Sequence, residues 1–184
     1  GGSSYADGGG EFVNGNAVMM LSGSWQITRL QRDVGDKFDW VAVPNPCGTT
    51  ACTGIPGGAA WVALKTSKSP KEVGAFLDFM ASEAVYREFT ARTFNIPAHA
   101  GIAKKGVDYA GAQPGQRAAL NVFSAGVANL APQAYKFQGY KYNRALMLPT
   151  VARVTQGIVG ELGLDDVMAK IDADMKDAVT QAQK

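Results

Sequence analysis

Three short apolar runs in the first third of the chain have the length and the flanking residues of buried β-strands. The first is NAVMMLSG, which ends at Gly23. The second covers Phe38–Val43 and is stopped by Pro44, and the third covers Gly57–Leu64. Such near-continuous apolar runs are typical of central strands, which need neighbouring strands on both sides. The sequence therefore predicts sheet strands for which it supplies too few partners.

Helical periodicity dominates the rest of the chain. Ser69 and Pro70 form a helix-start signal, and the apolar positions Val73, Phe76 and Met80 that follow recur on one helical face. A short helix is also predicted from Trp25 onwards, closed by Gly35. The segment 131–143 is predicted to be a polar-aromatic loop, and further helices are predicted at about 82–93, 116–129, 145–160 and 165–182. Together these elements predict an α/β fold with short buried strands followed by several helices.

Charge and hydropathy exclude several classes of protein. The 184 residues carry a net charge of +2 and the cations are scattered, so neither nucleic acid nor a membrane surface is an expected partner. No apolar run approaches the roughly 20 residues needed to span a bilayer. The first residues, GGSSYADGGGEF, lack the basic and apolar regions of a secretory signal.

Cys47 and Cys52 are the two cysteines, and they enclose four residues rich in Gly and Thr. A zinc site would need two more ligands, and the single histidine, His99, is distant in sequence. The spacing also differs from that of a redox C-x-x-C pair. A disulfide that closes a small loop is the favoured interpretation, with two free thiols as the alternative. A disulfide would indicate an oxidising compartment.

The sequence offers little for catalysis. His99 lies in a loop without a nucleophile motif, and the pair Asp165–Asp166 fits a helix start better than acid–base chemistry. The glycines of ADGGGEF lack dinucleotide-binding spacing, so neither a cofactor nor a metal is expected. A carbohydrate-active or other small α/β enzyme stays as the alternative, and it would need a paired carboxylate site. We expect a protein that is not an enzyme.

Aromatic residues near glycines and in loops favour a binding function instead. Flat rings can stack on the C–H face of a sugar, while amide and guanidinium groups pair with its hydroxyls. Trp61 could equally be a core residue, the tyrosines could be surface residues, and Trp40 is expected to be core. The candidate ligand-binding residues are Ser24, Trp25, Gly57, Gly58, Trp61, Tyr140, Tyr142, Asn143 and Arg144.

The segment EFVNGNAVMMLSGSW resembles the motif F-x-x-G-x-x-A-M-x-x-x-G-x-W of periplasmic solute-binding proteins of ABC sugar importers, the maltose-binding-protein-like family. Phe12, Gly15, Met19, Gly23 and Trp25 fall in step with it. The segments GIPGGAAWVALKTSKSPKEV, FNIPAHAG and VTQGIVGELGLDDVMAKID are similar to later segments of that family, in the same order. The cysteine pair resembles an addition found in a Gram-negative subgroup.

This resemblance implies the C-terminal half of a two-lobe (type II) binding-protein fold. Residues 1–56 would belong to the C-terminal lobe, 57–111 would cross into the N-terminal lobe, and 112–184 would return as helices. The missing N-terminal half would supply the absent strands, the other wall of the cleft and the export signal. Trp25 matches a sugar-stacking tryptophan, Gly57 and Gly58 match the hinge, and Tyr140–Arg144 match another sugar-facing loop. The implied partners are a carbohydrate and a membrane permease, and the implied location is the periplasm.

Overall fold

The computed structural model describes residues 5–184, which form helices joined by extended segments and turns. Within this range, none of the helices combines the length and the apolarity needed to cross a bilayer. Short 3-10 helices cover Ser24–Gln26 and Val127–Asn129. The α-helices are α1 Tyr5–Val13, α2 Ile27–Val34, α3 Pro70–Ala81, α4 Glu83–Thr93, α5 Ala100–Lys105, α6 Pro114–Gly126, α7 Pro132–Gln138, α8 Asn143–Ile158 and α9 Leu164–Ala182.

The chain divides into two compact units, one that extends to Leu130 and one from Ala131 to Lys184. The first unit is built around α2, which packs against α1 and α6. Its core has two clusters, and the indole of Trp40 packs against both of them, as expected for a core residue. The first cluster contains Ile27, Tyr109, Ala119 and Leu120, and the second contains Val13, Leu30 and Val34.

Helix α2 shows why the sequence folds in this way. Ile27, Leu30 and Val34 follow one another at helical spacing and are all buried on one face. Gly35, which follows the last helical residue, has a φ of 53°, a left-handed backbone angle that glycine adopts without steric cost. The helix predicted after Trp25 is therefore confirmed, and it carries apolar side chains into both clusters.

Most of the other predicted helices are confirmed within a few residues. Helix α3 begins at Pro70 as predicted, although the side chain of Ser69 makes no capping hydrogen bond. The prediction of a loop over 131–143 is wrong, because α7 occupies its centre. Pro132 stands at the first helical position of α7, where its missing N–H costs nothing. Helix α8 begins earlier than predicted, at Asn143, so Pro149 lies inside the helix rather than in its first turn.

The three short buried strands are not confirmed. Residues 17–22, 38–46 and 57–64 contain no strand, and many of their apolar side chains lie in solvent. Val18 is 92% exposed and Leu21 is 81% exposed. The physical reason is that a strand exists only where a neighbour completes its backbone hydrogen bonds, and no such neighbour is present among residues 5–184.

Cys47 and Cys52 form a disulfide, as the sequence favoured, so the alternative of two free thiols is wrong. The amide of Gly48 donates to the carbonyl of Ala51 inside the loop that the bond closes, with an N–O distance of 3.0 Å. Across its base, Asn45 Nδ2 donates to the carbonyl of Thr53 at 3.3 Å. The disulfide therefore joins the chain on either side of an exposed loop.

The second unit consists mainly of α8 and α9, which pack against each other. Val167 and Ile171 of α9 are buried. Arg153 Nε donates to Asp174 Oδ2 at 2.7 Å, and this ion pair links the two helices. A side chain at Gly157 would meet Val167 Cγ2 at 3.0 Å, so the small residue lets the helices approach closely.

His99 has a structural role in the first unit. Its Nδ1 accepts a hydrogen bond from the amide of Ile102 at 3.2 Å, which caps the start of α5. Ile102 itself is fully buried. Nearby, the Tyr109 hydroxyl donates to the carbonyl of Asn95 at 2.8 Å, and burial raises the pKa of this tyrosine. The segment between α4 and α6 is therefore held by specific polar contacts.

Replacement of Leu120 by Ala should lower the free energy of unfolding by about 2–5 kcal/mol, because it opens a cavity at a fully buried position between α2 and α6. The matched control is Leu148→Ala on α8, where the leucine is 65% exposed and should cost far less. Urea titration of the full-length protein measures both values. Equal losses for the two variants would contradict the assigned core.

Replacement of His99 by Ala should speed hydrogen exchange of the Ile102 amide about fivefold, because a helix cap contributes roughly 1 kcal/mol. His99→Asn is the matched control, since an asparagine oxygen can accept the same hydrogen bond. NMR detection of exchange resolves this single amide. An equal acceleration in the alanine and asparagine variants would exclude the capping role.

Candidate functional site

Trp25 is held in the centre of the 3-10 turn Ser24–Gln26. The amide of Gln26 donates to the carbonyl of Gly23 at 3.0 Å, and Gln26 and Ile27 both point into the core. Because the two residues that follow it are buried, Trp25 projects away from the core and stays 55% exposed. The exposed ring leaves a flat apolar surface open to a ligand.

The indole of Trp25 lies directly against the backbone of two glycines. A Cβ atom built on Gly23 would lie 2.1 Å from Trp25 Cζ3, and one built on Gly57 would lie 2.8 Å from the same atom. Both distances are shorter than real contacts, so neither position accepts a side chain unless something moves. Two candidate residues that are far apart in sequence, Trp25 and Gly57, are therefore brought into contact.

The neighbouring candidates differ from this pair. Gly58 lies in open space, because a Cβ atom there would meet nothing within 4 Å. Ser24 is half-buried in the turn that carries Trp25. Of the two adjacent glycines, only Gly57 makes close contact with the ring.

Trp61 packs against two helices instead. Its ring centroid lies 5.6 Å from that of Phe76 on α3 and 6.1 Å from that of Phe89 on α4, both in edge-to-face geometry. The side chain is nevertheless 56% exposed. Trp61 thus has the packing partners that a core role requires and an open face that a binding role requires.

The second unit groups the remaining candidates around the start of α8. The rings of Tyr140 and Tyr142 meet edge to face with centroids 5.7 Å apart, and Lys141 Nζ lies 5.0 Å from the centroid of the Tyr142 ring. Asn143 Nδ2 donates to the carbonyl of Phe137 at 2.9 Å, so this amide helps to join α7 to α8. Arg144 is exposed.

Two residues of these groups, Gly23 and Lys141, were not among the candidates predicted from the sequence. Gly23 was expected only to end a strand, yet it supports the indole of Trp25. Lys141 was not a candidate, although its position between two tyrosines in the sequence was a signal that could have identified it. Contacts of a ring with backbone, by contrast, leave no local pattern in a sequence.

The charged groups of the first unit are arranged as surface ion pairs. The pKa of the Glu83 carboxyl is lowered because it accepts hydrogen bonds from Lys105 at 2.9 Å and Arg87 at 3.1 Å. Arg32 and Asp33 form a similar exposed pair, which lowers the pKa of the aspartate. The contacts of Glu83 link α4 to α5. The Arg32–Asp33 pair lies on the surface of α2.

Acidic and metal-ligating residues form no metal-binding group in the described part of the chain. Asp165 and Asp166 occupy the first turn of α9, where the helix dipole favours negative charge. Among residues 5–184, no group of three or more His, Cys, Asp or Glu side chains is placed to hold a metal ion.

Comparison with known proteins identifies the family. No curated protein and no solved structure matches this chain significantly. A family model described as bacterial extracellular solute-binding protein matches residues 3–115, more than half of the 184 residues. The match includes Trp25, Gly57 and Trp61, and it ends before the tyrosines of the second unit. The chain therefore belongs to the family of bacterial extracellular solute-binding proteins.

Proposed function

We propose that the protein is the extracytoplasmic substrate-binding subunit of an ABC importer and that its ligand is a carbohydrate. The observation that carries this proposal is the exposed indole of Trp25, supported from behind by the backbone at Gly23 and Gly57. Membership of a solute-binding family supports the general part of this proposal, a substrate-binding role in transport. The exposed ring suggests the chemistry of the ligand.

Trp25 has the properties of a stacking platform. Its ring presents a flat apolar surface that suits the C–H face of a pyranose. The glycine backbone beside it carries N–H and C=O groups, which can pair with sugar hydroxyls. A Cβ atom at Gly58 would meet nothing within 4 Å, so there is room for a ligand beside this backbone. An apolar face bordered by polar backbone favours a carbohydrate over a purely apolar solute.

The tyrosine pair in the second unit is proposed as another sugar-facing group. Tyr140 and Tyr142 present rings of different orientation, and Lys141 and Arg144 add positive charge close to them. Such a surface suits a hydroxyl-rich ligand, including one with an acidic group. Ser24 and Trp61 complete the proposed set in the first unit.

We propose that this chain forms one half of a two-lobe protein. Residues 1–56 would belong to the C-terminal lobe, 57–111 would cross into the N-terminal lobe, and 112–184 would return. Exposed apolar side chains such as Val18, Val41 and Val62 support this arrangement, because strands from an N-terminal half would cover them. The disulfide is consistent with an oxidising, periplasmic location.

The proposed mechanism is capture without catalysis. A sugar binds in the cleft between the lobes, contacts with both walls favour the closed form, and a membrane permease recognises that form. Gly57 and Gly58 would act as the hinge, where small residues absorb the change in backbone angles.

A panel of sugars should raise the melting temperature of the full-length protein for one ligand class, because a ligand that binds only the folded state stabilises it. At a concentration 100 times the Kd, the stabilisation should be about 2.7 kcal/mol. Differential scanning fluorimetry with glucose, xylose, maltose, trehalose and glucuronate provides the measurement.

Amino acids and dipeptides at the same concentrations are the control for this panel. A shift with these solutes and none with the sugars would show that the carbohydrate assignment is wrong, while the family membership would stand.

Replacement of Trp25 by Ala should weaken binding of the sugar that gives the largest thermal shift by about 1–3 kcal/mol, because the stacking surface is lost. Phe79→Ala is the matched control, since Phe79 is another exposed aromatic residue, on α3. Isothermal titration calorimetry measures both affinities. Unchanged affinity in the Trp25 variant would remove this residue from the site.

A further inference from the structure

We infer that Gly57 is a positioning residue for ligand binding: the absence of a side chain there sets the location of the Trp25 indole, so the stacking platform and the chain at Gly57 move together. This inference rests on the proposed role of Trp25 in binding a carbohydrate. It adds a physical reason for the identity of residue 57, and it links the platform to the proposed hinge.

The contact at Gly57 is too close for a side chain unless the ring or the chain moves. A Cβ atom there would lie 2.8 Å from Trp25 Cζ3, 3.4 Å from Cη2 and 3.7 Å from Cε3. All three atoms belong to the outer, six-membered ring of the indole. An alanine at position 57 would therefore push against the part of the ring that is furthest from the backbone of Trp25.

The indole also lies close to Gly23, where a Cβ atom would be only 2.1–2.6 Å from the same ring atoms. The turn that carries Trp25 is itself fixed, because Gln26 and Ile27 are buried directly after it. A side chain at position 57 must consequently either rotate the ring outwards or displace the extended segment around residue 57.

Backbone strain does not explain the glycine at position 57. The left-handed glycines among the described residues are Gly15, Gly35, Gly106 and Gly160, and Gly57 is not one of them. An alanine is therefore compatible with the backbone angles, and only the ring opposes it. Gly126, the last residue of α6, also faces open space and lies outside the proposed site, which makes it a matched control for a change from glycine to alanine.

The contact couples two parts of the proposed mechanism. A ligand that stacks on the outer face of Trp25 restrains the ring against Gly23 and Gly57. Movement of the chain at Gly57 during closure must then displace the ring or carry it along. Ligands with a flat face would bias the position of the hinge through this contact, and ligands that do not stack would lack this influence.

A first experiment tests the contact without ligand. Tryptophan emission and acrylamide quenching are measured for the full-length protein and for Gly57→Ala and Gly126→Ala. Gly57→Ala should shift the emission and change the quenching, whereas Gly126→Ala should match the parent protein. In a Trp25→Phe background the effect of Gly57→Ala should vanish, because phenylalanine lacks the outer indole ring. Equal spectra for Gly57→Ala and the parent protein would overturn the inference.

A second experiment tests the role in binding. Calorimetry with glucose, xylose, maltose, trehalose and glucuronate compares the same variants. Gly57→Ala should weaken binding of the responding sugar at least tenfold and Gly126→Ala less than twofold. In the Trp25→Phe background the loss caused by Gly57→Ala should fall below threefold, which is the signature of a coupled pair. An equal loss in both backgrounds would show that Gly57 acts independently of Trp25 and would overturn the inference.

The two experiments separate this inference from the proposed function. Altered emission together with no binding of any sugar would refute the carbohydrate proposal and the ligand role of Gly57. The contact between Gly57 and Trp25 would still stand. Sugar binding together with unaltered emission would support the function and refute the positioning role. Circular dichroism of each variant identifies misfolding. If Gly57→Ala alone misfolds, the double variant with Trp25→Phe can still be measured, because phenylalanine lacks the outer ring that the new Cβ atom would meet.

Discussion

The packing of Ile27 against Leu120 is the contact on which the proposed binding site depends. Both side chains are almost completely buried, and they join the start of α2 to α6. Because Gln26 is buried as well, the turn before α2 has a single orientation. These buried neighbours fix the backbone on which Trp25 stands, so an apolar core supports the candidate platform.

Local patterns were sufficient for most of the helices. The hydrogen bonds of a helix close within four residues, so the spacing of Ile27, Leu30 and Val34 contains most of the information that α2 needs. The same holds for α9, with its acidic first turn and its buried face at Val167 and Ile171. Helix α7 was missed because its aromatic and polar composition suggested a loop, although Pro132 marked its start.

Contacts between distant parts of the sequence account for what could not be predicted. The run at 16–23 has the composition of a strand, but a strand also requires hydrogen-bonding neighbours, and none lies beside it in residues 5–184. The contact of Gly57 with Trp25 is equally non-local. The position of Trp25 after Gly23 only suggested a platform, and the family resemblance sharpened that choice, since composition alone does not distinguish a platform from a core tryptophan.

The disulfide has a consequence for what a cut by a protease would do to the chain. The loop between Cys47 and Cys52 is exposed, which makes it an accessible site for cleavage. A cut between Gly48 and Ala51 would nevertheless leave both pieces covalently joined. The segment that carries Trp25 and the segment that carries Gly57 would stay on one molecule, so the protein could be nicked there without losing half of its candidate platform.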